Sequence, residues 1–231
     1  YHKRMGWLLL IGFIALAVFL PSWWVRRVMA RYDTPADRYP SSGAELARHL
    51  LDEQGLKSVT VELTEQGDHY DPEAKAVRLA AERYSGRSLT AITVAAHEVG
   101  HAMQDASGYQ PLVLRTRLIR WLKPLERVGA LILMGSPVLA VVTRMPSVTA
   151  IAIVGGLLTL GTASIVHLVT LPTEWNASFA RAMPLLRRDG ILRTEDHPHA
   201  KVILRAAAMT YVAVSLMSLL NVARWWALIR R

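Results

Sequence analysis

The stretch Ser88-Leu89-Thr90-Ala91-Ile92-Thr93-Val94-Ala95-Ala96-His97-Glu98-Val99-Gly100-His101-Ala102-Met103-Gln104-Asp105-Ala106-Ser107 decides what kind of protein this is. Its apolar positions recur at helical spacing, which predicts a helix over 88–107 that ends at Gly108. In such a helix His97 and His101 lie four apart on one face, so both imidazoles can reach one metal ion. Glu98 stands beside them, placed to work on an activated water rather than to bind the metal. Zinc suits two neutral imidazoles and one carboxylate, with a fourth position left for water. Ala95, Ala96, Val99 and Ala102 surround the pair, so the helix is expected to be buried. Two histidines and a glutamate are costly to bury without partners, and a metal removes that cost. Gly100 is expected to leave room beside the ion, although glycine inside a helix costs about 1 kcal/mol relative to alanine. The plainer reading is a pair of surface histidines on an amphipathic helix.

A third ligand must come from elsewhere in the chain. The pattern that supplies a third histidine after an intervening glycine is missing: Gln104 occupies the glycine position, and no histidine follows before His167. The best-placed carboxylate is Glu174, in Leu171-Pro172-Thr173-Glu174-Trp175-Asn176-Ala177-Ser178. There it is expected to open a helix with Thr173 as N-cap. A first-turn acid complementing the helix dipole is the competing account of Glu174. His167 reads as a hydrogen-bonded residue inside a helical bundle.

Outward from this site the chain alternates between apolar and polar stretches. Of 231 residues, 52% are hydrophobic and 19% charged, which excludes a disordered chain. No cysteine is present, which excludes a disulfide scaffold, a thiolate nucleophile and a Cys-ligated metal. The net charge of +9 would suit nucleic acid in a soluble protein. Here the bases flank apolar blocks, so anionic lipid headgroups are the better match and no nucleic-acid partner is expected.

Those blocks give the expected fold class: a mainly α membrane protein with about four transmembrane helices and a small α+β zincin-like (gluzincin) region. The domain plan is an anchor at 5–25, a soluble region with the zinc helix at 26–127, and a transmembrane hairpin at 128–171. A third-ligand helix and loop follow at 172–205, then a C-terminal transmembrane helix at 206–229. A signal peptide competes for the first block, since 28–30 offers a passable cleavage site. The second block is short and contains Pro137. Gly129, Gly135, Gly155, Gly156 and Gly161 suit close contact within the hairpin. Trp225 and Trp226 suggest an interfacial end. Parity puts both polar regions on one side, and the excess of Arg and Lys there, among them Arg26, Arg27, Arg117, Arg120, Arg187 and Arg188, makes that side the cytosol.

Within the soluble region, 44–56 reads as an amphipathic helix closed by Gly55, with Leu46, Leu50 and Leu51 on one face. Residues 59–63 and 76–79 alternate as strands, and 68–72 between them reads as a turn, so a small hairpin or short sheet is expected. Either strand could pair with an extended substrate backbone.

The order of an N-terminal apolar segment, Asp68-His69-Tyr70-Asp71-Pro72, the His97–His101 motif, Leu171-Pro172-Thr173-Glu174 and Ala206-Ala207-Ala208-Met209-Thr210-Tyr211-Val212-Ala213 resembles the membrane-bound neutral zinc metallopeptidases, the YugP-like family. The resemblance spans nearly the whole chain. It implies one Zn2+ held by His97, His101 and Glu174, with Glu98 as catalytic base, and kinship with the HtpX-type membrane peptidases. Family members often carry Asp where this chain has Asn176, a candidate to orient a ligand without the charge that would raise ligand basicity. Candidates to stabilise the oxyanion are Tyr211, His197, His199, His69 and Arg181. For Tyr211 the plainer role is an interfacial anchor, and for His197 and His199 a loop.

The expected function is a membrane-embedded zinc endopeptidase of the bacterial inner (cell) membrane. It would be multi-pass with its site facing the cytosol, and would cleave membrane proteins, misfolded proteins or peptides. The alternative is a catalytically inactive membrane scaffold or chaperone that keeps the zinc site. An intramembrane protease is disfavoured because the motif lies outside any convincing span, and an ion transporter because the apolar blocks contain almost no acids.

Overall fold

A computed structural model describes the backbone of residues 2–229. The side chains of 2–11, 13–15, 17–18, 123, 126, 140, 159–165, 167–168, 215 and 217–229 fall outside that description, and His167 and Gly161 are among them. The helices are α1 (His2–Arg31), α2 (Gly43–Glu53), α3 (Ala81–Tyr84), α4 (Leu89–Ala106), α5 (Gln110–Thr143), α6 (Pro146–Trp175), α7 (Met183–Leu186) and α8 (His197–Ile229). Strands β1 (Thr60–Leu63), β2 (His69–Asp71) and β3 (Ala76–Leu79) form one sheet. A π-helical segment, Asn176–Ala182, continues α6 into α7.

The chain divides into two compact units, one of residues 1–22, 114–170 and 211–231, the other of 23–113 and 171–210. The second unit carries the His97–His101 motif and is built around α4. Ser88 caps α4 by accepting from the Ala91 amide at 3.1 Å and donates its own hydroxyl to Asp33. Gly108, at φ +62°, closes it in a backbone region that favours glycine. Around α4 lie Leu46, Leu50 and Leu51 of α2, Val77 and Leu79 of β3, and Leu185, Leu186, Ile203 and Leu204. α2 starts at a residue the sequence reading passed over. Ser42 accepts from the Glu45 amide while the Glu45 carboxylate accepts from the Ser42 amide, a reciprocal cap.

The sheet order is β1-β3-β2, with β1 parallel and β2 antiparallel to β3. Of the small hairpin or short sheet expected from 59–63 and 76–79, the short sheet is present, with these two strands parallel rather than paired as a hairpin, and 68–72 holds a third strand rather than only a turn. The turn itself follows Asp71, whose carboxylate accepts from the amides of Glu73 and Ala74 before Lys75 at φ +53°. Those backbone donors, Ala74 first, hold the Asp71 carboxyl below its usual range. Arg78 on β3 bridges Glu62 of β1 at 3.1 Å and Asp71 of β2 at 2.6 Å, stitching all three strands. Because β3 is central, both its edges are taken, and substrate pairing at 77–79 is excluded.

In the first unit, α5 and α6 form a helical hairpin joined through Arg144 at φ +52°, longer at both ends than the transmembrane hairpin expected of 128–171. Gly156 is needed there: a Cβ on it would lie 2.5 Å from Leu133 Cγ and 3.0 Å from the Gly129 carbonyl oxygen. Gly135 and Gly155 face open space.

The expectation of about four transmembrane helices is not upheld. Among the described residues, no helix is long and apolar enough to cross a membrane. The apolar blocks are portions of longer helices that also carry polar segments and proline: Pro21 in α1, Pro124 and Pro137 in α5, Pro172 in α6. The multi-pass arrangement falls with it, and so does the parity argument that placed the site in the cytosol.

Candidate metal centre

α4 delivers His97 and His101 from one face, and α6 delivers Glu174 just before it changes to π geometry. Glu174 does not open a helix, as the sequence suggested, and Thr173 is no N-cap. α6 runs unbroken through both to Trp175, and the Thr173 hydroxyl has no hydrogen-bond partner among the described residues. Glu174 is fully buried, and His97 and His101 are each 4% exposed. Its Oε2 stands 3.2 Å from His97 Nε2 and 3.1 Å from His101 Nε2. One ligand atom from each residue falls within 4.8 Å of the others.

The outer edges of both rings are occupied. His97 Nδ1 lies 3.0 Å from Ser178 Oγ, whose hydroxyl donates to the Leu204 carbonyl and so accepts from the ring. His101 Nδ1 lies 2.9 Å from Gln104 Oε1. With both Nδ1 atoms donating, the two Nε2 atoms of neutral imidazoles present lone pairs to the carboxylate. Three electron-rich atoms converging in a buried site repel one another unless a cation sits among them or both rings carry a second proton. The 3.1–3.2 Å spacings are close to the roughly 3.3 Å edge of a tetrahedral zinc site. The donor set therefore fits zinc.

Glu98, 6% exposed, follows His97 on the same helix. Gly100 has a use other than the one expected. A Cβ there would lie 2.6 Å from the Ala177 carbonyl oxygen, so the space beside the histidines is taken by the backbone of the π segment. That segment brings Ser178 to His97 one turn after Glu174 meets both rings, and π geometry at a site of this kind is a recurrent feature.

The other candidate residues have the following places. Among the described residues Asn176 makes no hydrogen bond to a histidine; its Oδ1 accepts from Gln104 Nε2 at 2.9 Å and Arg181 Nε at 3.2 Å. Arg181 also donates to Ser107 and stacks on Tyr109, and burial pulls its pKa down. His69 Nδ1 lies 2.8 Å from the Gly67 carbonyl, within its own turn. His199 Nδ1 meets the Tyr32 hydroxyl at 3.1 Å. His197 Nε2 is buried with no hydrogen-bond partner among the described residues. Tyr211 belongs to the other unit, where its phenol accepts from Arg115 at 2.7 Å and lies under the same guanidinium. Sequence reasoning missed Gln104 and Ser178 as partners of the rings. Their helical spacing, three past His101 and four past Glu174, was the only available signal.

Comparison with known proteins agrees with this chemistry. A family model described as "Putative neutral zinc metallopeptidase" matches residues 7–230. A protein of Bacillus subtilis (strain 168) named "Putative membrane protease YugP" is 36% identical over 226 residues, 94% of this chain and 95% of the relative. No solved structure matches. A match over nearly the full length, on a chain whose buried donors suit zinc, gives one conclusion: this chain belongs to the neutral zinc metallopeptidase family.

Proposed function

We propose that the chain is a zinc-dependent endopeptidase of the HExxH-plus-Glu, or gluzincin, type, with His97, His101 and Glu174 as ligands and Glu98 as general base. The observation that carries this reading is the convergence of two imidazole Nε2 atoms and one carboxylate oxygen whose outer edges are already hydrogen-bonded. Zinc held there supplies the Lewis acidity that activates a water and polarises a scissile carbonyl. Glu98 takes the proton of the attacking water and passes it to the leaving amine nitrogen. Ser178 and Gln104 hold the two imidazoles in one tautomer. The substrates are peptides or proteins, membrane or misfolded proteins among them. The relative is named a membrane protease, and exposed Leu131, Met134, Val138 and Val141 on α5 support association of this chain with a lipid surface.

Elemental analysis and cleavage of an unfolded protein test the assignment together. Glu98→Gln should keep near-stoichiometric zinc and lose turnover by a factor of at least about 100. Glu174→Ala should lose most of the zinc. Retained turnover in the first variant removes Glu98 from the role of base, and unchanged zinc in the second removes Glu174 from the ligand set.

A further inference from the structure

The histidines of α4 and the carboxylate of α6 come from segments more than 70 residues apart, so something must hold the two segments in register. One side chain touches both. Gln104 is fully buried; its Oε1 meets His101 Nδ1 at 2.9 Å, while its Nε2 donates to the Thr173 carbonyl at 2.8 Å and to Asn176 Oδ1 at 2.9 Å. Thr173 and Asn176 flank Glu174 on either side.

The polarity of this arrangement is fixed at both ends. The Thr173 carbonyl can only accept, so the amide atom facing it must be the NH2 group. At the far end Arg181 Nε, which can only donate, faces Asn176 Oδ1 at 3.2 Å, so that oxygen is an acceptor for Gln104 as well. With its NH2 committed twice, Gln104 turns its oxygen to His101, and an acceptor there requires a proton on Nδ1. A neutral ring then leaves its lone pair on Nε2, the atom facing Glu174. The loop closes on itself, since Arg181 Nη2 donates to Ser107 Oγ at 2.9 Å and Ser107 donates to the Gln104 backbone carbonyl at 3.0 Å.

We propose that Gln104 is a positioning residue of the zinc site: it sets the tautomer of His101 and, through Thr173 and Asn176, fixes the segment that carries Glu174. Asn176 and Arg181 act through it, by holding its amide in one orientation. This rests on the zinc reading of His97, His101 and Glu174. It also gives Asn176 a use that aspartate would fill differently, because a carboxylate there would add a charge next to buried Glu174.

The test measures zinc affinity of the full chain in detergent by competition with a chromogenic chelator, alongside melting of the metal-free protein and the visible spectrum of the cobalt-loaded form. Gln104→Met keeps the size but removes both functions, and Gln104→Glu keeps an acceptor for His101 while losing the donors. Gln104→Met should lower zinc affinity about 10- to 100-fold and alter the cobalt bands. Gln104→Glu should lose less, about three- to tenfold, because it keeps the acceptor for His101 but gives up the hold on the Glu174 segment; both variants melt lower without metal because both lose the donors to Thr173 and Asn176. Zinc affinity equal to the parent in Gln104→Met, or an equal loss in the two variants, overturns the proposal. If Gln104→Met does not fold, Asn176→Ala replaces it. That removes one of the two acceptors holding the Gln104 NH2 and the contact beyond Glu174, loosening both the amide and the segment, and about a three- to tenfold loss of affinity is expected; none would overturn the proposal. A parent that binds no zinc overturns this and the peptidase reading together. A parent that binds and cleaves beside an unaffected Gln104→Met overturns this alone.

Discussion

Gly100 shows how little latitude the site allows at a single residue. Within a helix, alanine is better than glycine by about 1 kcal/mol, so Gly100→Ala ought to stabilise α4 if nothing else intervened. The added methyl would lie 2.6 Å from the Ala177 carbonyl oxygen, and backbone cannot yield as a flexible side chain can. Overpacking of this kind costs about 1–3 kcal/mol, which outweighs the propensity gain. Relief by separation would move the π segment away from α4, and with it Glu174 and Ser178 away from the rings. Gly100→Ala is therefore expected to lower both the melting temperature and the zinc content. A variant that melts higher and keeps its zinc would show that the two backbones can part without cost. The His97 and His101 pair was legible in the sequence because an i, i+4 spacing is a local property of one helix. Gln104 and Ser178 were not, since their meaning depends on carbonyls at Thr173 and Leu204 that only packing brings near.

Between elements, Asp196 joins the segment after α1 to the start of α8. It is 1% exposed and accepts from Arg38 twice, at 2.7 and 2.6 Å, and from the Tyr39 hydroxyl. Burial alone would raise its pKa, but the Arg38 and Tyr39 hydrogen bonds together bring the carboxyl below its ordinary range. Burial and the neighbouring carboxylate push the Tyr39 phenol up to about 12. For an acid whose folded pKa is depressed, the stabilisation is complete above the unfolded value near 4 and is lost as pH falls through the folded one. Asp196→Asn should therefore cost the most at neutral pH, on the order of 2–3 kcal/mol because Arg38 is a quarter exposed. The gap between parent and variant melting temperatures should shrink as pH falls from about 5 to 3. A gap constant over that range would mean that shape, not charge, holds the junction. No pattern in the sequence pairs Arg38 with Asp196, which are 158 positions apart. The sheet was half legible for a similar reason. The strands at 60–63 and 76–79 show local alternation, but the three residues of β2 beside Pro72 are too short a run to read as a strand. Parallel pairing of β1 with β3 follows only once β2 is seen.

At the scale of the molecule, the apolar blocks were legible but the structure they build was not, because hydropathy marks apolar residues without saying where a helix starts or stops. Among the described residues, α5 exposes Leu131 (68%), Met134 (67%), Val138 (65%) and Val141 (74%), and α6 exposes Ile151 (73%), Val154 (50%) and Leu158 (68%). Steps of three and four place each set along one stripe of its helix. Stripes this apolar are unusual on the surface of a soluble monomer, where large exposed patches mark an interaction. Basic residues such as Arg117, Arg120 and Arg127 lie on α5 as well, so a lipid surface could be held by charge, by apolar contact or by both. The two differ in their response to salt. At 1 M the screening length falls to about 3 Å and attraction between surface charges and headgroups is largely lost, whereas apolar contact is not weakened. The full chain is expected to sediment with vesicles of phosphatidylcholine and anionic phosphatidylglycerol and to remain with them through a 1 M salt wash. Val138→Glu with Val141→Glu should release a large part of it, and should leave zinc content unchanged because α5 contributes no ligand. Release of the parent by salt would assign the attachment to the basic residues instead. A parent found in the supernatant at every salt concentration would mean that these stripes face another protein rather than lipid.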